Sequence, residues 1–316
     1  MQTINTRAVV AGAIGNALEW YDFAVYGYFA PVIAAHFFPT GDPVTALIAT
    51  FGVFAAGFLM RPIGGLVIGH IGDRLGRKAA LTLSVALMAI PTSLISVLPT
   101  YAAIGLAAPV LLTLLRLLQG LSVGGEYTGS VTFLIERAPP GRRGVVASAG
   151  LASAVLGVLL ASATGALVET VLTEAQVHAW GWRVPFALGL LVGIVDFYIR
   201  RHITEEAPAR AHGEEAPPRA PILTAVRDHR GAMARVAAMG ILAGVAFYMI
   251  FVYAATWLTD VVHVEARAVL DVNTAAMAVL VALIPAAAWL SDRVGRRPVM
   301  LAGAAVWSCC RTRCSR

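Results

Sequence analysis

Eight apolar stretches of about twenty residues divide this chain, and that pattern leaves few folds open. They run over residues 9–34, 45–69, 79–98, 107–134, 145–172, 181–199, 233–258 and 268–290. A helix of about 20 apolar residues crosses the hydrocarbon core of a bilayer, roughly 30 Å thick. Within lipid the backbone must satisfy its own polar groups, which a helix does without a partner. The pattern therefore predicts an all-α integral membrane protein. Charged residues make up 13% of the 316, against roughly 25% in a soluble domain, so lipid is the solvent that fits. The first stretch carries Glu19, Trp20 and Asp22 at its centre and no small-residue cleavage pattern, so it reads as a span and not as a signal peptide.

The loops give an orientation. Arg7, the group Arg74, Arg77 and Lys78, the group Arg137, Arg142 and Arg143, the arginines from Arg200 to Arg235, and Arg293, Arg296 and Arg297 all fall in one alternating set of loops. The other set holds Arg183 and Arg267. This bias places the amino terminus and the long loop after the sixth stretch in the cytoplasm. Topology thus accounts for the net charge of +6, and no nucleic-acid partner is called for. The one lysine, Lys78, follows an arginine, which excludes a Gly-Lys-Ser/Thr phosphate loop. Uphill transport would have to draw on an ion gradient, with no cofactor.

Residues 201–232 differ in kind. Glu205, Glu206, Glu214 and Glu215 mix with Pro208, Pro217, Pro218, Pro221 and several arginines, a composition that cannot bury a core. The expected organisation is a six-helix transmembrane bundle over 1–200, a cytoplasmic linker over 201–232, and a partial second bundle over 233–308. That partial bundle holds two spans and the start of a third, which begins at Pro298 and stops at Cys309. All three cysteines, Cys309, Cys310 and Cys314, fall in the tail 309–316. The abrupt change predicts a frameshift or premature stop, hence a complete first half and an incomplete second.

An internal repeat supports two halves. Asp73-Arg74-Leu75-Gly76-Arg77-Lys78 follows the second stretch and Asp292-Arg293-Val294-Gly295-Arg296-Arg297 follows the eighth, 219 residues apart. Parallel repeats are common in secondary transporters. The positive-inside bias accounts for the arginines but not for the paired aspartates and glycines. Glycine permits a tight turn at the membrane surface. An aspartate there can accept hydrogen bonds from the amino terminus of a neighbouring helix, where the dipole favours an anion. Asp73, Arg74, Gly76 and Arg77, with Asp292, Arg293 and Arg296, are therefore candidates for a latch made in one conformation and broken in another.

Residues 69–78 resemble the loop motif of the major facilitator superfamily. Asn16-Ala17-Leu18-Glu19-Trp20-Tyr21-Asp22-Phe23, Arg61-Pro62-Ile63-Gly64-Gly65, the run from Arg116-Leu117-Leu118-Gln119-Gly120 to Gly125-Glu126-Tyr127, and Glu136 followed by Arg142-Arg143-Gly144 resemble its metabolite:proton symporter branch. The resemblance implies two six-helix bundles around a central site and alternating access. It also implies a bacterial-type inner membrane and a monomeric complete protein. Its members carry osmolytes such as proline and betaine, or carboxylates such as citrate, 2-oxoglutarate and shikimate. It places the partner of the Asp73 latch in a late helix of the second bundle that this chain lacks.

Ionisable residues inside a span cost about 2.5–3.5 kcal/mol each on insertion scales and are usually paired or functional. Glu19 and Asp22 share one helix face, extended by Asn16 and Tyr26. Arg116 and Gln119 share a face of the fourth span, with Glu126 about 15 Å further along. Glu19, Asp22 and Glu126 are candidate proton carriers, since a desolvated carboxylate can load and release a proton near neutral pH. Arg116, with Gln119, Asn16 and Tyr26, is a candidate for substrate binding. It stays charged and can hold a substrate carboxylate or keep a carboxylate of the protein ionised. The alternative is a static ion pair between the first and fourth spans. Small residues at 149, 153, 157, 161 and 165 form a packing stripe. No nucleophile–base or metal constellation stands out, so the chain reads as a transporter of protons and a small polar metabolite and not as an enzyme. A non-functional fragment of such a symporter is the alternative.

Overall fold

We describe the chain from a computed structural model, which describes residues 6–75, 77–123, 135, 138, 139, 141–202, 221–303 and 305. It is built of helices. The first span consists of α1 (Thr6–Tyr28) and α2 (Ala30–Phe37), and the second of α3 (Pro43–Leu59) and α4 (Arg61–Leu75), joined through Met60. Asp42 starts α3. Its carboxylate accepts the N–H groups of Val44 at 3.2 Å and Thr45 at 3.1 Å and the Thr45 hydroxyl at 2.6 Å. Pro43 at the first helical position has no N–H to satisfy. There follow α5 (Arg77–Val97), α6 (Ala107–Val123), α7 (Arg143–Val171) and α8 (Arg183–His202). The second part holds α9 (Pro221–Tyr248), a π-turn over Met249–Tyr253, α10 (Ala254–Asp260) and α11 (Ala266–Val294).

Four continuous helical stretches, Pro43–Ile71, Arg143–Val171, Asp228–Asp260 and Ala266–Val294, are long and apolar enough to cross a membrane among the described residues. Thr82–Val97 and Ala107–Val123 are apolar but shorter. Residues 221–232, the last part of the expected linker 201–232, are helical and form the start of α9. Ile222, Leu223, Ala225 and Val226 supply an apolar turn, and Pro221 sits at the position where a missing N–H costs nothing. The backbone leaves helical geometry at His229 (φ −126°, ψ 21°), where the leading turns bend into the span. Residues 203–220 lie outside the described residues.

Two helices organise the packing. α1 lies along α7 and also touches α8, while α7 lies along α11, so α7 joins the amino-terminal helices to the second part. α6 packs on α3, α4 and α5, and α5 also packs on α8. Glycine makes these approaches close. A Cβ at Gly157 would collide with the Ala17 carbonyl and the Tyr21 amide nitrogen of α1, so the small-residue stripe of α7 does bring backbones together. On the opposite flank a Cβ at Gly57 would meet the Arg116 carbonyl at 3.2 Å, and Cβ atoms at Gly64 and Gly120 would run into the carbonyls of Leu121 and Gly57. The buried core gathers Phe23, Tyr26, Phe37, Leu112, Trp182 and Phe186. Val236, Ile241, Leu242, Val272 and Leu283 of α9 and α11 point outward, a surface that hydrocarbon accommodates and water does not.

Candidate transport site

The charged residues of α1 and α6 meet in the core. Arg116 and Gln119 lie one turn apart and both face Asp22. The Gln119 amide bridges them. Arg116 Nη1 donates to Gln119 Oε1 at 2.8 Å, and Gln119 Nε2 donates to Asp22 Oδ2 at 2.5 Å and to Thr92 Oγ1 of α5 at 2.8 Å. Thr92 passes its own hydroxyl proton to the Met88 carbonyl at 2.8 Å, which fixes it as acceptor and sets the orientation of the amide. Arg116 Nη1 stands 3.6 Å from Asp22 Oδ2. Arg116 and Gln119 are 0% exposed and Asp22 is 3% exposed. The Arg116 guanidinium also lies 4.0 Å over the Tyr26 ring and 4.8 Å from the Phe23 ring centre. Arg116 Nε and Nη2 and Asp22 Oδ1 have no hydrogen-bond partner among the described residues.

A second, half-buried cation stands nearby. Arg61 begins α4 in the middle of the second span, its guanidinium 3.9 Å over Phe58, 4.6 Å over Phe23 and 5.7 Å from Trp20. Its Nε and Nη2 likewise have no hydrogen-bond partner among the described residues. Trp20 stacks on Tyr248 of α9 with ring centres 6.1 Å apart, and Tyr248 meets Phe54 and Phe58 edge-on. The aromatic faces thus surround a cation with free donors. Sequence reasoning passed over Arg61 as a site residue, although an arginine within the apolar stretch 45–69 is the signal for one. Thr92 carried no comparable signal. Tyr248 joins this aromatic group, Tyr253 packs on Phe51, and Trp257 is largely exposed.

The remaining sequence candidates scatter. Glu19 is buried and borders a cavity with Asp22. Asn16 turns to α7, donating from Nδ2 to the Gly150 carbonyl at 2.7 Å and to Ser153 Oγ at 2.8 Å. The Tyr26 hydroxyl donates to the Thr50 carbonyl at 3.2 Å. Glu126 and Gly76 lie outside the described residues, as do the side chains of Asp73 and Arg77. Arg74 is exposed at the end of α4.

The second copy of the loop motif meets the amino terminus of α7. The Gly144 N–H donates to Asp292 Oδ1 and the Val145 N–H to Asp292 Oδ2, each at 2.9 Å. Those amides have no partner within their own helix, and the helix dipole favours a carboxylate there. Arg296 Nη2 donates to Asp292 Oδ1 at 2.7 Å and its Nη1 to Ser291 Oγ at 3.0 Å. Gly144 leaves the room, since a Cβ would stand 2.6 Å from Asp292 Oδ1 and press on Arg296 Nη1. Arg293 turns away and lies 3.9 Å over the Trp289 ring. At the other end of the seam, Asn273 Nδ2 of α11 donates to the Tyr28 hydroxyl at 2.8 Å and to the Phe251 carbonyl at 3.0 Å.

The comparisons with known proteins agree with this architecture. A family model described as "Sugar (and other) transporter" matches residues 8–209 and 220–315. A putative proline/betaine transporter of Staphylococcus haemolyticus is 40% identical over 300 residues, covering 94% of this chain and 64% of that protein. The proline/betaine transporter of Salmonella typhimurium is 35% identical over 308 residues, covering 94% and 61%. The alpha-ketoglutarate permease of Escherichia coli is 39% identical over 294 residues, covering 93% and 67%. The chain therefore spans about 61–67% of the length of these relatives. The solved structure of a D-xylose-proton symporter superposes with a TM-score of 0.69 at 17% identity, covering 94% of this chain and 71% of that one. A partially occluded inward-open form of the xylose transporter of Escherichia coli gives 0.64 at 18% identity, covering 93% and 72%. At that identity the likeness establishes the fold alone. An integral membrane bundle of this kind, matched by the model over nearly its whole length, belongs to the sugar (and other) transporter family of the major facilitator superfamily.

Proposed function

We propose that the chain works in proton-coupled transport of a small polar solute bearing a carboxylate, by alternating access across a bacterial-type inner membrane, with its amino terminus in the cytoplasm. The observation that carries this reading is the Gln119 bridge between Asp22 and Arg116 inside a membrane bundle. Two opposite charges removed from water are costly unless they are paired and hydrogen-bonded. When Asp22 is ionised it neutralises Arg116. When it takes a proton, Arg116 loses its counter-charge, and a solute carboxylate becomes the partner that restores neutrality. Proton and solute then load together, which is symport. Arg61, whose Nε and Nη2 have no hydrogen-bond partner among the described residues and which feels the charge of Glu19, is the second place where an acidic group can be held. The relatives named for proline/betaine and for alpha-ketoglutarate favour solutes of this class, since all of these carry a carboxylate.

Within this reading residues 1–200 form one six-helix unit and the helices from 233 onward belong to its counterpart. Glu19 and Glu126 are the further candidates for proton transfer. The Asp292 contact with α7 serves as a latch that holds one conformation, and Asp73 with Arg74, Gly76 and Arg77 is its counterpart by the repeat. The test is uptake in proteoliposomes with a panel of zwitterionic and dicarboxylic solutes. Asp22→Asn should abolish accumulation driven by a pH gradient while keeping solute exchange. Full accumulation with unchanged pH dependence in Asp22→Asn would refute the proposal.

A further inference from the structure

A cavity of about 40 Å³ lies among the amino-terminal helices, and among the described residues its lining comes from α1, α5, α6 and α8. At one end are Asp22, Glu19 and Thr92, and at the other are Gly15, Ser84, Ser122 and Gly193. From Thr92 to Ser84 along α5 is about 12 Å at 1.5 Å per residue, directed toward the end of the bundle that carries the Asp73 loop. A cavity needs about 10–15 Å³, measured in this way, for each water, and polar partners to hold it, so this one accommodates two or three. Partners are present. Asp22 Oδ1 is buried without a hydrogen-bond partner among the described residues. Thr92 Oγ1 and the hydroxyls of Ser84 and Ser122 border the same space. The serines form a reciprocal pair: Ser84 Oγ donates to the Ser122 carbonyl at 2.9 Å, and Ser122 Oγ donates to the Ser84 carbonyl at 2.7 Å. Both serines are buried, and the pair marks the end of the file nearer the Asp73 loop.

We infer that Asp22, once loaded, releases its proton toward the cytoplasmic end through a short file of water inside the amino-terminal helices, past Ser84 and Ser122, and not through the space between the two halves. The inference rests on the reading of Asp22 as the proton carrier. In each transfer the carboxyl O–H of Asp22 breaks as a new O–H forms on the first water, which gives one of its own protons to the next. The excess proton leaves at the serine pair and the carboxylate regains its Gln119 and Arg116 partners. Around Asp22 the charged and titratable groups are Arg116 on α6 and Glu19, Tyr21 and Tyr26 on its own helix, with Arg61 and Tyr248 beyond Glu19. α5 presents Thr92, and α8 presents Gly189 and Gly193. A path separate from the solute space lets the proton leave while the solute is still bound, so the two need not be released in a fixed order.

The test follows the carboxyl infrared band of Asp22 after a pH jump, on the full chain in liposomes. Ser122→Val and Ser84→Val each add a methyl group to the file and remove a hydroxyl. Both should slow proton exchange about tenfold or more, because the added bulk displaces a water and interrupts the file, with the titration midpoint unchanged. Ser122→Ala, which leaves room for water, should stay within about threefold of wild type. Because the valines act from different helices, misfolding of one leaves the other to decide. Wild-type exchange rates in a folded valine variant would overturn the inference while leaving Asp22 as carrier. A titrating band that persists in Asp22→Asn would remove the carrier reading itself, and the inference with it.

Discussion

Gln119→Leu tests the site most directly, because the side chain touches both charges and changes neither. Three hydrogen bonds are lost: with Arg116 at 2.8 Å, Asp22 at 2.5 Å and Thr92 at 2.8 Å. Bonds to charged groups contribute about 1.5–3 kcal/mol each and neutral ones about 1 kcal/mol, a gross loss of about 4–7 kcal/mol. Leucine recovers about 2 kcal/mol by burying apolar surface in the same volume. Arg116 and Asp22, already 3.6 Å apart, can also close directly on one another. The net destabilisation should be about 2–4 kcal/mol. At about 2–4 °C per kcal/mol for a chain of a few hundred residues, the melting temperature in detergent should fall by about 4–16 °C. Thr92→Val removes only the neutral bond and should cost about 1 kcal/mol. The double variant should fall short of the sum, because the two side chains share one network. Melting of Gln119→Leu within about 1 °C of wild type would show that the amide does not hold the pair together, and the coupling argument built on it would fail.

Asp292→Asn and Gly144→Leu should each change the rate of solute exchange about fivefold or more while leaving solute affinity within about twofold, since the α7 contact biases conformation and touches no solute; equal losses of rate and affinity would point to a direct binding role. Gly157→Leu drives a side chain into the backbone of α1 and should cost more than the about 1–3 kcal/mol usual for overpacking, read as loss of folded protein on size exclusion; Gly240→Ala, with no atom within 4 Å of the added carbon, should be tolerated. The backbone and hydroxyl donors of Val44 and Thr45 hold the Asp42 carboxyl below its ordinary value of 3.8. A depressed folded value means that this stabilisation is present above pH 3.8 and is lost as pH falls further. The melting temperature of Asp42→Asn, which keeps the cap without the charge, should therefore be less sensitive to pH in that range than that of wild type.

Much of this was legible in the sequence, for identifiable reasons. Apolar length and arginine spacing report helices that must be satisfied in lipid; they placed the fifth and eighth stretches to within a few residues, while α9 begins twelve residues before the seventh. Asp22, Arg116 and Gln119 could be grouped because helical periodicity puts each on one face and because charges in lipid need company. The same logic covers Arg61, which lies inside the stretch 45–69 and stood out only as part of a family motif. Asn16 sits on the polar face of α1, yet which neighbour that face meets is a tertiary matter, and it meets α7. The seat of Asp292 on α7 was foreseen only as a type of contact, because nothing local to residue 292 names its partner helix. The helical start of α9 at Pro221 was not legible, because the prolines of 217–221 outweighed the apolar turn that follows them.

The glycine contacts on α6 also set a length scale. Gly57 and Gly64 flank Arg61 and lie against the carbonyls of Arg116 and Leu121, backbone on backbone with no side chain between. Contacts of that kind have no slack, because sliding by even half an ångström drives a Cα into an oxygen. The helices that carry Arg61 and Arg116 are therefore held together backbone against backbone. On the proposed function, such a pair would act as a gauge: an acid whose groups span the gap would engage both cations at once, and a shorter one either but not both.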